Sequence, residues 1–398
     1  MEQQRIFKLW GKLQHYPWGG TEFIPHLLGI TPAENKKYAE YWLGAHPSSS
    51  SVVDIKEEQA VLHDLIEQDP NTYISTATYR KFQGLPFLLK VLDVSEMLSI
   101  QVHPSREEAI KSFEKEEAEG IPIDAPHRNY KDKNHKPEVM VALSEFWLLH
   151  GFKPRQELIL TLSSVPEFGF LLPIFNQGDY KALYQQVMEM DQSKVDEILL
   201  PLIDRIYTNS TTPGKSEPAF WVKKLYGAEC PKNKIDRGIF SIYFFNIVHL
   251  HPGQAIFQAA GVPHAYLEGQ NVELMANSDN VLRGGLTSKH IDVPELLKHV
   301  RFEGIRPEVM DGIKINQYQK AFPCPVDDFA ISSISLEAGS KYHEENNTAA
   351  IFLVIEGKVI ADVIGEIRRG EAIYVIPGTD INFYSPGSSQ IFKAYLPY

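Results

Sequence analysis

The chain has 398 residues, of which 43% are hydrophobic and 23% are charged, proportions within the range of globular proteins. This length exceeds that of one ordinary domain, so we expect two or three domains. The net charge of −12 is inconsistent with the basic face of a nucleic-acid-binding protein, and we expect no nucleic-acid partner. Any site for an anionic ligand must therefore supply its own local positive charge.

Membrane insertion is not predicted. No apolar run reaches the ~20 residues of a membrane-spanning helix. The first residues, MEQQRIFKLWGKL, lack the basic start and the apolar core of a signal peptide. Cys230 and Cys324 lie far apart and form no metal-spaced pair. We expect a cytoplasmic protein with reduced cysteines and no membrane partner.

The first 153 residues are dominated by predicted strands. Short apolar or alternating runs, broken by Gly, Pro and Ser, include segments 86–94 and 97–104, which predict two strands. Ser105 and Glu108 form a capping-box pattern, which predicts a helix directly afterwards. A polar loop over 121–135 follows. The apolar segments 138–143 and 145–152 then predict further strands.

The pattern changes after residue 154. Segment 180–207 carries apolar residues at helical spacing, so we expect an inserted helical domain. Strand character returns over 238–258. The tail from about residue 325 alternates strands and turns, which is typical of a small all-β barrel or sandwich.

Four residues form a candidate metal site. Gln101 and His103 are two apart on a predicted strand, so their side chains share one face. His264 ends a stretch that resembles the second motif of cupins: Gly253, five residues, a turn and a histidine. Glu138 supplies a carboxylate. These ligand types suit zinc, and by themselves they leave iron and manganese open.

A family resemblance covers most of the chain outside the helical segment and the tail. The stretches that carry it are YPWGG (16–20), AEYWLGAHPSSSS (39–51), LPFLLKVLDVSEMLSIQVHP (85–104), YKDKNHKPEVMVAL (130–143) and segment 261–297. In these stretches the chain resembles the type I mannose-6-phosphate isomerases, also called phosphomannose isomerases. The resemblance implies one zinc ion per chain, held by Gln101, His103, Glu138 and His264, and a small sugar phosphate as substrate.

The resemblance also implies a mainly β fold. A cupin core, a double-stranded β-helix or jelly roll, would comprise residues 1–153 plus 238–324 and carry the catalytic site. The helical insert would span 154–237, and a second cupin-like β domain would span 325–398. That tail lacks a histidine at the expected place and His343 stands alone, so we expect no metal there. We expect a monomer.

The implied reaction interconverts mannose 6-phosphate and fructose 6-phosphate through ring opening and an enediolate. Arg283 lies in LRGGLT, where the resemblance points to a catalytic arginine, and its permanent charge suits the developing anion. Proton transfer requires a base. Lys136 and His135 adjoin the ligand Glu138, and Glu273 is the competing candidate. We favour Lys136 and expect Glu273 to orient Arg283 or a ligand.

Other residues are candidates for binding the substrate. Ser99 lies on the same strand face as Gln101, and Lys90 is a charge in an otherwise apolar strand, so both are candidates for the phosphate. Lys90 could instead reach solvent at its tip. Lys289 is a weaker phosphate candidate. Tyr266 is expected to line the pocket and Trp18 to wall it, although an aromatic residue at that place is more often core.

Two other functions fit parts of the pattern. A cupin dioxygenase would normally hold iron with three histidines, and Gln101 argues against it. A sugar-sensing cupin without activity would have little need for Arg283 and Lys136 beside the ligands. The remaining histidines belong to no motif that we can name and are expected to be structural or surface groups: His46, His249, His251, His290 and His299.

Overall fold

The computed structural model describes residues 4–56, 58–228 and 231–397. Cys230 lies outside the described residues, and Cys324 is a half-buried free thiol. Antiparallel strands dominate the chain, and most of the longer helices lie between residues 155 and 244. Within the described ranges, none of the helices has the length and apolar character needed to span a bilayer.

The elements follow one another in chain order. The strands up to the helical region are β1 (Ile6–Trp10), β2 (Lys12–Gln14), β3 (Glu40–Gly44), β4 (Val52–Ile55), β5 (Glu58–Val61), β6 (Phe87–Val94), β7 (Ile100–Val102), β8 (Glu138–Ala142) and β9 (Phe146–Phe152). The helices among them are α1 (Phe23–Leu28), α2 (Leu62–Gln68), α3 (Pro70–Tyr73), α4 (Thr76–Phe82) and α5 (Arg106–Ala118).

The helical region contains α6 (Arg155–Ser164), α7 (Leu171–Gln177), α8 (Tyr180–Met188), α9 (Gln192–Thr208), α10 (Pro218–Tyr226) and α11 (Gly238–Phe244), with a 3-10 helix at Pro166–Phe168. After it come β10 (Phe245–Leu250), β11 (Ala255–Gln258), β12 (His264–Ala276), β13 (Leu282–Gly285) and α12 (Val293–His299). The last strands are β14 (Ile313–Lys314), β15 (Gln319–Phe322), β16 (Ala330–Leu336), β17 (Lys341–Glu344), β18 (Ala350–Glu356), β19 (Lys358–Ala361), β20 (Gly365–Arg368), β21 (Ala372–Val375), β22 (Ile381–Tyr384) and β23 (Ser389–Tyr395).

Three antiparallel sheets organise these strands. A ten-stranded sheet has the order β10-β9-β12-β6-β3-β2, with β7, β8, β11 and β13 attached through further pairs. A nine-stranded sheet has the order β14-β15-β16-β23-β18-β21-β1-β4-β5, and a four-stranded sheet has the order β17-β22-β19-β20. A mainly β fold with a helical region, as expected from the sequence, is therefore confirmed.

Alternation along the strands of the ten-stranded sheet separates an apolar face from a polar one. In β6, Leu89 and Val91 pack into the core between this sheet and the nine-stranded sheet. Lys90, between them, points to the opposite face, because successive strand residues alternate. In β7, Ile100 and Val102 pack into the core shared with the helices. The same alternation turns Gln101 to the polar face, which we call the pocket face.

The amino-terminal strand does not pair within the ten-stranded sheet. Strand β1 pairs antiparallel with β21 near the carboxyl end of the chain, with Ile6 opposite Val375, and also with β4. Strands β14 and β15, before residue 325, belong to the same nine-stranded sheet. The segments on both sides of the expected boundaries thus share one sheet, and the domain division itself stays a prediction.

The structure confirms the predicted start of α5 and differs from the predicted strands at β7 and at residues 238–244. Ser105 caps α5, and its side chain accepts a hydrogen bond from the Glu108 backbone N–H at 3.3 Å, as the capping pattern predicts. The expected strand over 97–104 is shorter and covers only β7. The strand expected from residue 238 was wrong at its start, since 238–244 form α11. All seven residues of α11 are buried, and a largely apolar run gives no clear periodicity to distinguish helix from strand.

Candidate metal centre and pocket

Three of the four predicted metal ligands converge on one point of the pocket face. The ligand atoms of His103, Glu138 and His264 all lie within 4.8 Å of one another, and the three side chains are buried. Gln101 lies beside them, because it pairs with His264 on one side and with Arg283 on the other. Gln101, Glu138 and His264 line the same pocket.

Both imidazoles are oriented by the backbone. The Nδ1 atom of His103 lies 2.8 Å from the Asn280 carbonyl oxygen, and that of His264 lies 2.9 Å from the Val262 carbonyl oxygen. Donation from Nδ1 leaves each Nε2 as a lone-pair donor, the arrangement found around metal-bound histidines. The two Nε2 atoms lie 3.4 and 3.3 Å from the two oxygens of Glu138. Buried His103 Nε2 makes no well-formed hydrogen bond with the described residues, so its lone pair is available.

The charges and burial around Glu138 and His103 favour the protonation states that bind a cation. Burial would raise the pKa of Glu138, but Lys136, His103 and His264 hold it well below its usual range. Burial and the charge of Lys136 lower the pKa of His103 to about 4, so the ring is neutral. A carboxylate and two imidazoles fit a divalent metal such as zinc.

A second buried charge network lies beside the metal ligands. Lys90 Nζ lies 3.6 Å from Glu40 Oε2 and 3.4 Å from Glu273 Oε1. Burial would lower the pKa of Lys90, but the two carboxylates raise it above its usual value. The Tyr266 hydroxyl donates to Glu273 Oε2 at 2.7 Å. Both oxygens of Glu273 are therefore engaged, and burial together with Glu138 raises the pKa of Glu273.

This network changes the interpretation of Lys90. Because two carboxylates surround its ammonium group, a phosphate there would meet a net negative environment. The alternative of a lysine reaching solvent is also excluded, since the residue is 6% exposed. Glu273 contacts Lys90 and Tyr266, whereas we expected it to orient Arg283 or a metal ligand.

Lys136 and the carboxylates set the charge of the pocket. Lys136 Nζ lies 3.0 Å from Glu138 Oε1, and the residue is 9% exposed. Glu40, Glu138 and Glu273 outnumber the lysines Lys90 and Lys136 among the lining residues. A divalent cation would neutralise this excess of carboxylate, which independently favours a metal at the centre.

Arg283 lies at the margin of the centre without a counter-ion. It is half-buried, burial lowers its pKa, and within the described part of the chain no carboxylate or hydrogen-bond partner is found for it. Lys289 is exposed, and burial and the charge of Arg283 lower the pKa of its ammonium group. Ser99 lines the pocket together with Gln101.

Two predicted site residues are not among those that line the pocket. His135 points away from the pocket, and its Nε2 lies 3.0 Å from Asp328 Oδ2 in the carboxyl-terminal segment. Lys136 lines the pocket and His135 does not. Trp18 is half-buried, stacks on Tyr16 with ring centroids 5.8 Å apart, and packs against the core cluster that contains the pocket residues Leu92 and Tyr266, so its expected place at the wall of the pocket stays a prediction.

Several residues of the pocket were not identified from the sequence. Glu40 lines the pocket, and Trp42 packs its ring 4.8 Å from Lys90 Nζ. His46, expected to be structural, is buried and lies 3.4 Å from Asp279. A charged residue at the start of the otherwise apolar strand β3 was a signal for Glu40, because a buried charge needs a partner. No signal pointed to the pair of His46 and Asp279, which are far apart in sequence.

Comparisons with known proteins identify the family of the chain. The family described as phosphomannose isomerase type I, catalytic domain, matches residues 6–155. The mannose-6-phosphate isomerase of Escherichia coli K12 is 37% identical over 367 residues, 88% of each chain, and that of Homo sapiens is 33% identical over 435 residues, 99% of each.

The similarity extends to solved structures. A crystal structure of the Salmonella typhimurium mannose 6-phosphate isomerase, bound to its substrate fructose 6-phosphate and to zinc, superimposes with a TM-score of 0.86. It is 33% identical in sequence, and the match covers 99% of this chain and 100% of that one. The sequence identity, the near-complete coverage and the shared fold place this chain in the mannose-6-phosphate isomerase family, the type I phosphomannose isomerases.

Proposed function

We propose that this chain is a zinc-dependent isomerase that interconverts mannose 6-phosphate and fructose 6-phosphate. The observation that carries the proposal is the buried His-Glu-His cluster with Lys136 Nζ 3.0 Å from its carboxylate, inside one pocket. Family membership supports the reaction, and the zinc and fructose 6-phosphate bound by the Salmonella relative support the cofactor and the substrate.

One zinc ion would be held by Gln101, His103, Glu138 and His264. Two imidazoles and two oxygen ligands suit zinc and leave room for substrate oxygens. When bound, zinc polarises substrate oxygens and stabilises negative charge that develops on them. The backbone carbonyls that accept from both Nδ1 atoms fix the rings so that each Nε2 faces the same point.

Lys136 is our candidate for the group that moves the proton. Conversion of the open-chain aldose to the ketose takes a proton from C2, returns one to C1, and moves a hydroxyl proton from O2 to O1. The base must reach both carbons from one side. Lys136 lines the pocket, whereas both oxygens of Glu273 are already engaged by Lys90 and Tyr266. Glu273 therefore fits a positioning role.

Arg283 is placed to stabilise the enediolate. It pairs across the sheet with Gln101, it has no counter-ion among the described residues, and guanidinium remains charged at any working pH. A charge that is not already neutralised acts most strongly on an anion that develops nearby. We assign the phosphate to Ser99 and Lys289, since Lys289 and Arg283 lie close enough for their charges to interact.

We also propose the cupin architecture and its divisions. The ten-stranded sheet, which contains β12 and β6 and carries the pocket, would be the catalytic cupin core of residues 1–153 plus 238–324. Helices α6–α10 support a helical insert over 154–237, and β16–β23 support a second β domain over 325–398. The shared nine-stranded sheet implies that β1, β4 and β5 belong to this second domain by contact.

Metal removal and restoration test the proposal. The conversion of mannose 6-phosphate to fructose 6-phosphate is measured in a coupled assay for the purified protein, for chelator-treated protein and for the same sample after zinc is restored. We expect activity to disappear with zinc and to return with it. Glu138→Gln should lose both tight zinc and activity, whereas His343→Gln, at an exposed histidine bonded to Asn382, should keep both.

The other outcomes separate the competing functions. Fully metallated protein without turnover would contradict the isomerase proposal. If that protein still bound mannose 6-phosphate in a calorimetric titration, the sugar-sensing function would replace it. Activity that survives complete metal removal would contradict the role of zinc and leave Lys136 and Arg283 as the catalytic groups to test.

A further inference from the structure

A second His-Glu-His cluster lies outside the pocket. The ligand atoms of Glu145, His249 and His251 all lie within 4.8 Å of one another. His251 Nδ1 lies 3.0 and 3.2 Å from the two oxygens of Glu145, and His249 Nε2 also contacts that carboxylate. The two imidazole centroids are 4.7 Å apart. The cluster is open to solvent, with 56% of the Glu145 side chain and 63% of the His251 side chain exposed.

The pairing of β9 with β10 produces this convergence. His249 lies in the edge strand β10, and His251 follows one residue after the strand ends, so the two side chains share one face. Glu145 directly precedes β9, whose first residue Phe146 pairs with Leu250 between the histidines. The carboxylate is therefore brought opposite both rings by the β9–β10 pairing.

One of the rings is held in place before any ligand arrives. His249 stacks on Trp147 with centroids 4.1 Å apart and planes within 7° of parallel. The stacking leaves the ring edge, with Nε2, directed at Glu145. His251 and His249 lower the pKa of Glu145, so this oxygen ligand is charged at neutral pH. Preorganised donors lose less conformational entropy when they bind an ion.

We infer that Glu145, His249 and His251 form a second site, for an exchangeable divalent transition-metal ion. Two imidazoles and a carboxylate are ligands that zinc, nickel and copper share. Three protein ligands leave coordination positions open to water, and exposure allows the ion to exchange. In the contacts seen among the three residues, each imidazole N–H donates to the carboxylate, and a metal ion would take the place of those protons.

The site differs from the pocket in its surroundings. The pocket cluster is buried and has Lys136 beside its carboxylate, whereas Glu145 forms ion pairs only with the two histidines among the described residues. An ion here would compete with bulk water over most of its surface. We therefore expect weaker binding than at the pocket, and no requirement for this site in catalysis.

Zinc binding measured by equilibrium dialysis on the zinc-loaded holoenzyme tests the inference. Wild-type protein should bind one tightly held equivalent and a second, weaker equivalent as free zinc is raised. The double variant His249→Gln/His251→Gln should lose the second equivalent and keep the first, together with full isomerase activity at low zinc. The single variant His251→Gln, at the more exposed ring, should weaken the second equivalent by about tenfold or more without affecting folding, because one of three ligands is removed.

Control variants make the result specific. His343→Gln should keep both equivalents, because that exposed histidine has only Asn382 beside it in the described structure. Glu138→Gln should lose the tight equivalent and keep the weak one, which separates this inference from the proposed function. The inference is overturned if wild-type protein binds a single equivalent at all zinc concentrations tested. It is equally overturned if the double variant retains the second one.

Discussion

Lys90 and Lys136 lie in the same pocket but have different neighbours. Lys90 is flanked by Glu40 and Glu273, so its charge is balanced within the protein. Lys136 forms its ion pair with Glu138, a proposed metal ligand whose charge would be shared with the ion. At the scale of single residues, partners rather than residue type therefore distinguish a positioning lysine from one that is available to move a proton.

Removing the proposed base should abolish most of the activity. For Lys136→Met we expect kcat to fall about 10²–10⁴-fold, the usual contribution of general acid–base catalysis. Zinc content, measured by metal analysis, should stay close to that of the wild type. Lys133→Met is the matched control, because its exposed ammonium group pairs with Glu114 at 2.9 Å. A kcat for Lys136→Met within about tenfold of the wild type would return the role of base to Glu273.

A residue far from the pocket should make stability depend on pH. Burial lowers the pKa of Lys153 from 10.5 to about 8, with Thr161 Oγ1 3.3 Å from its Nζ. Between pH 8 and 10.5 the unfolded chain then binds more protons at this residue than the folded chain, so stability rises with pH. Below pH 8 both states are charged, and the cost of burying the charge is fully present.

Lys153→Met should therefore stabilise the protein at pH 7 by roughly 2 kcal/mol. This value is lower than the free energy equivalent to the whole pKa shift, because the side chain is partly exposed to solvent. Its advantage in melting temperature should shrink as pH rises from about 8 toward 10.5. Lys153→Arg is the control, since guanidinium does not lose its proton in this range. A constant difference in Tm between Lys153→Met and wild type over this range would show that burial does not shift this residue.

At the scale of elements, an irregularity in β12 brings the two halves of the pocket together. His264 and Glu273 differ by an odd number of positions, so a regular strand would place them on opposite faces. The pairing register shifts between Tyr266 and Glu268, and Gly269 follows with a φ of +127°. The extra residue of this bulge reverses the alternation, so both side chains reach the pocket face.

Gly269→Ala should disturb both the fold and the site. A Cβ at this position would lie 2.7 Å from the Glu145 carbonyl oxygen, in a backbone conformation that side chains rarely adopt. We expect a loss of about 2–4 kcal/mol in stability and a fall in kcat, because His264 and Glu273 would no longer share one face. Melting temperature and activity are measured together.

Gly120→Ala serves as the comparison for Gly269→Ala. Its φ of +71° is also positive but lies close to the left-handed region that side chains can adopt at moderate cost, and nothing lies within 4 Å of the added Cβ. The expected cost is about 1 kcal/mol with unchanged activity. If the two variants had equal effects, the close packing and the backbone conformation of Gly269 would not be what fixes the site.

At the scale of the whole molecule, the carboxyl-terminal segment contacts the segment that carries Lys136. Buried Asp328 accepts a hydrogen bond from Arg106 Nη2 at 2.5 Å and lies 3.0 Å from His135 Nε2. Arg106 begins α5, and His135 directly precedes Lys136. This contact gives the tail a role in holding the segment before β8, which fits the finding that β1 pairs with β21 across the length of the chain.

Asp328→Ala should lower the melting temperature and reduce activity. Loss of the buried acceptor would cost about 1–3 kcal/mol, since Arg106 and His135 would lose a charged partner. Because His135 adjoins Lys136, we also expect kcat to fall while zinc is retained. Asp327→Ala is the neighbouring control, where an exposed ion pair with Lys81 at 2.7 Å should contribute little. Equal effects of the two substitutions would contradict the role given to Asp328.

The sequence determined the features that depend on local spacing or on a specific motif. Short, mostly apolar runs predicted β6 and β8, and the capping pattern predicted the start of α5. The motifs shared with the family predicted His103, Glu138 and His264 as metal ligands. The structure brings the ligand atoms of these three residues within 4.8 Å of one another. Each of these signals is either a pattern within a few consecutive residues or a motif distinctive enough to be recognised without knowledge of the tertiary contacts.

Only the tertiary structure decided which distant residues meet. In the folded chain, Lys90 lies between two carboxylates and His135 contacts Asp328. Glu145 likewise lies beside His249 and His251. The tertiary structure also made 238–244 a helix, where a largely apolar run shows no clear helical or strand period. The physical reason is the same in each case: pairing register, bulges and burial depend on contacts between segments far apart in sequence, and no local pattern of residues encodes them.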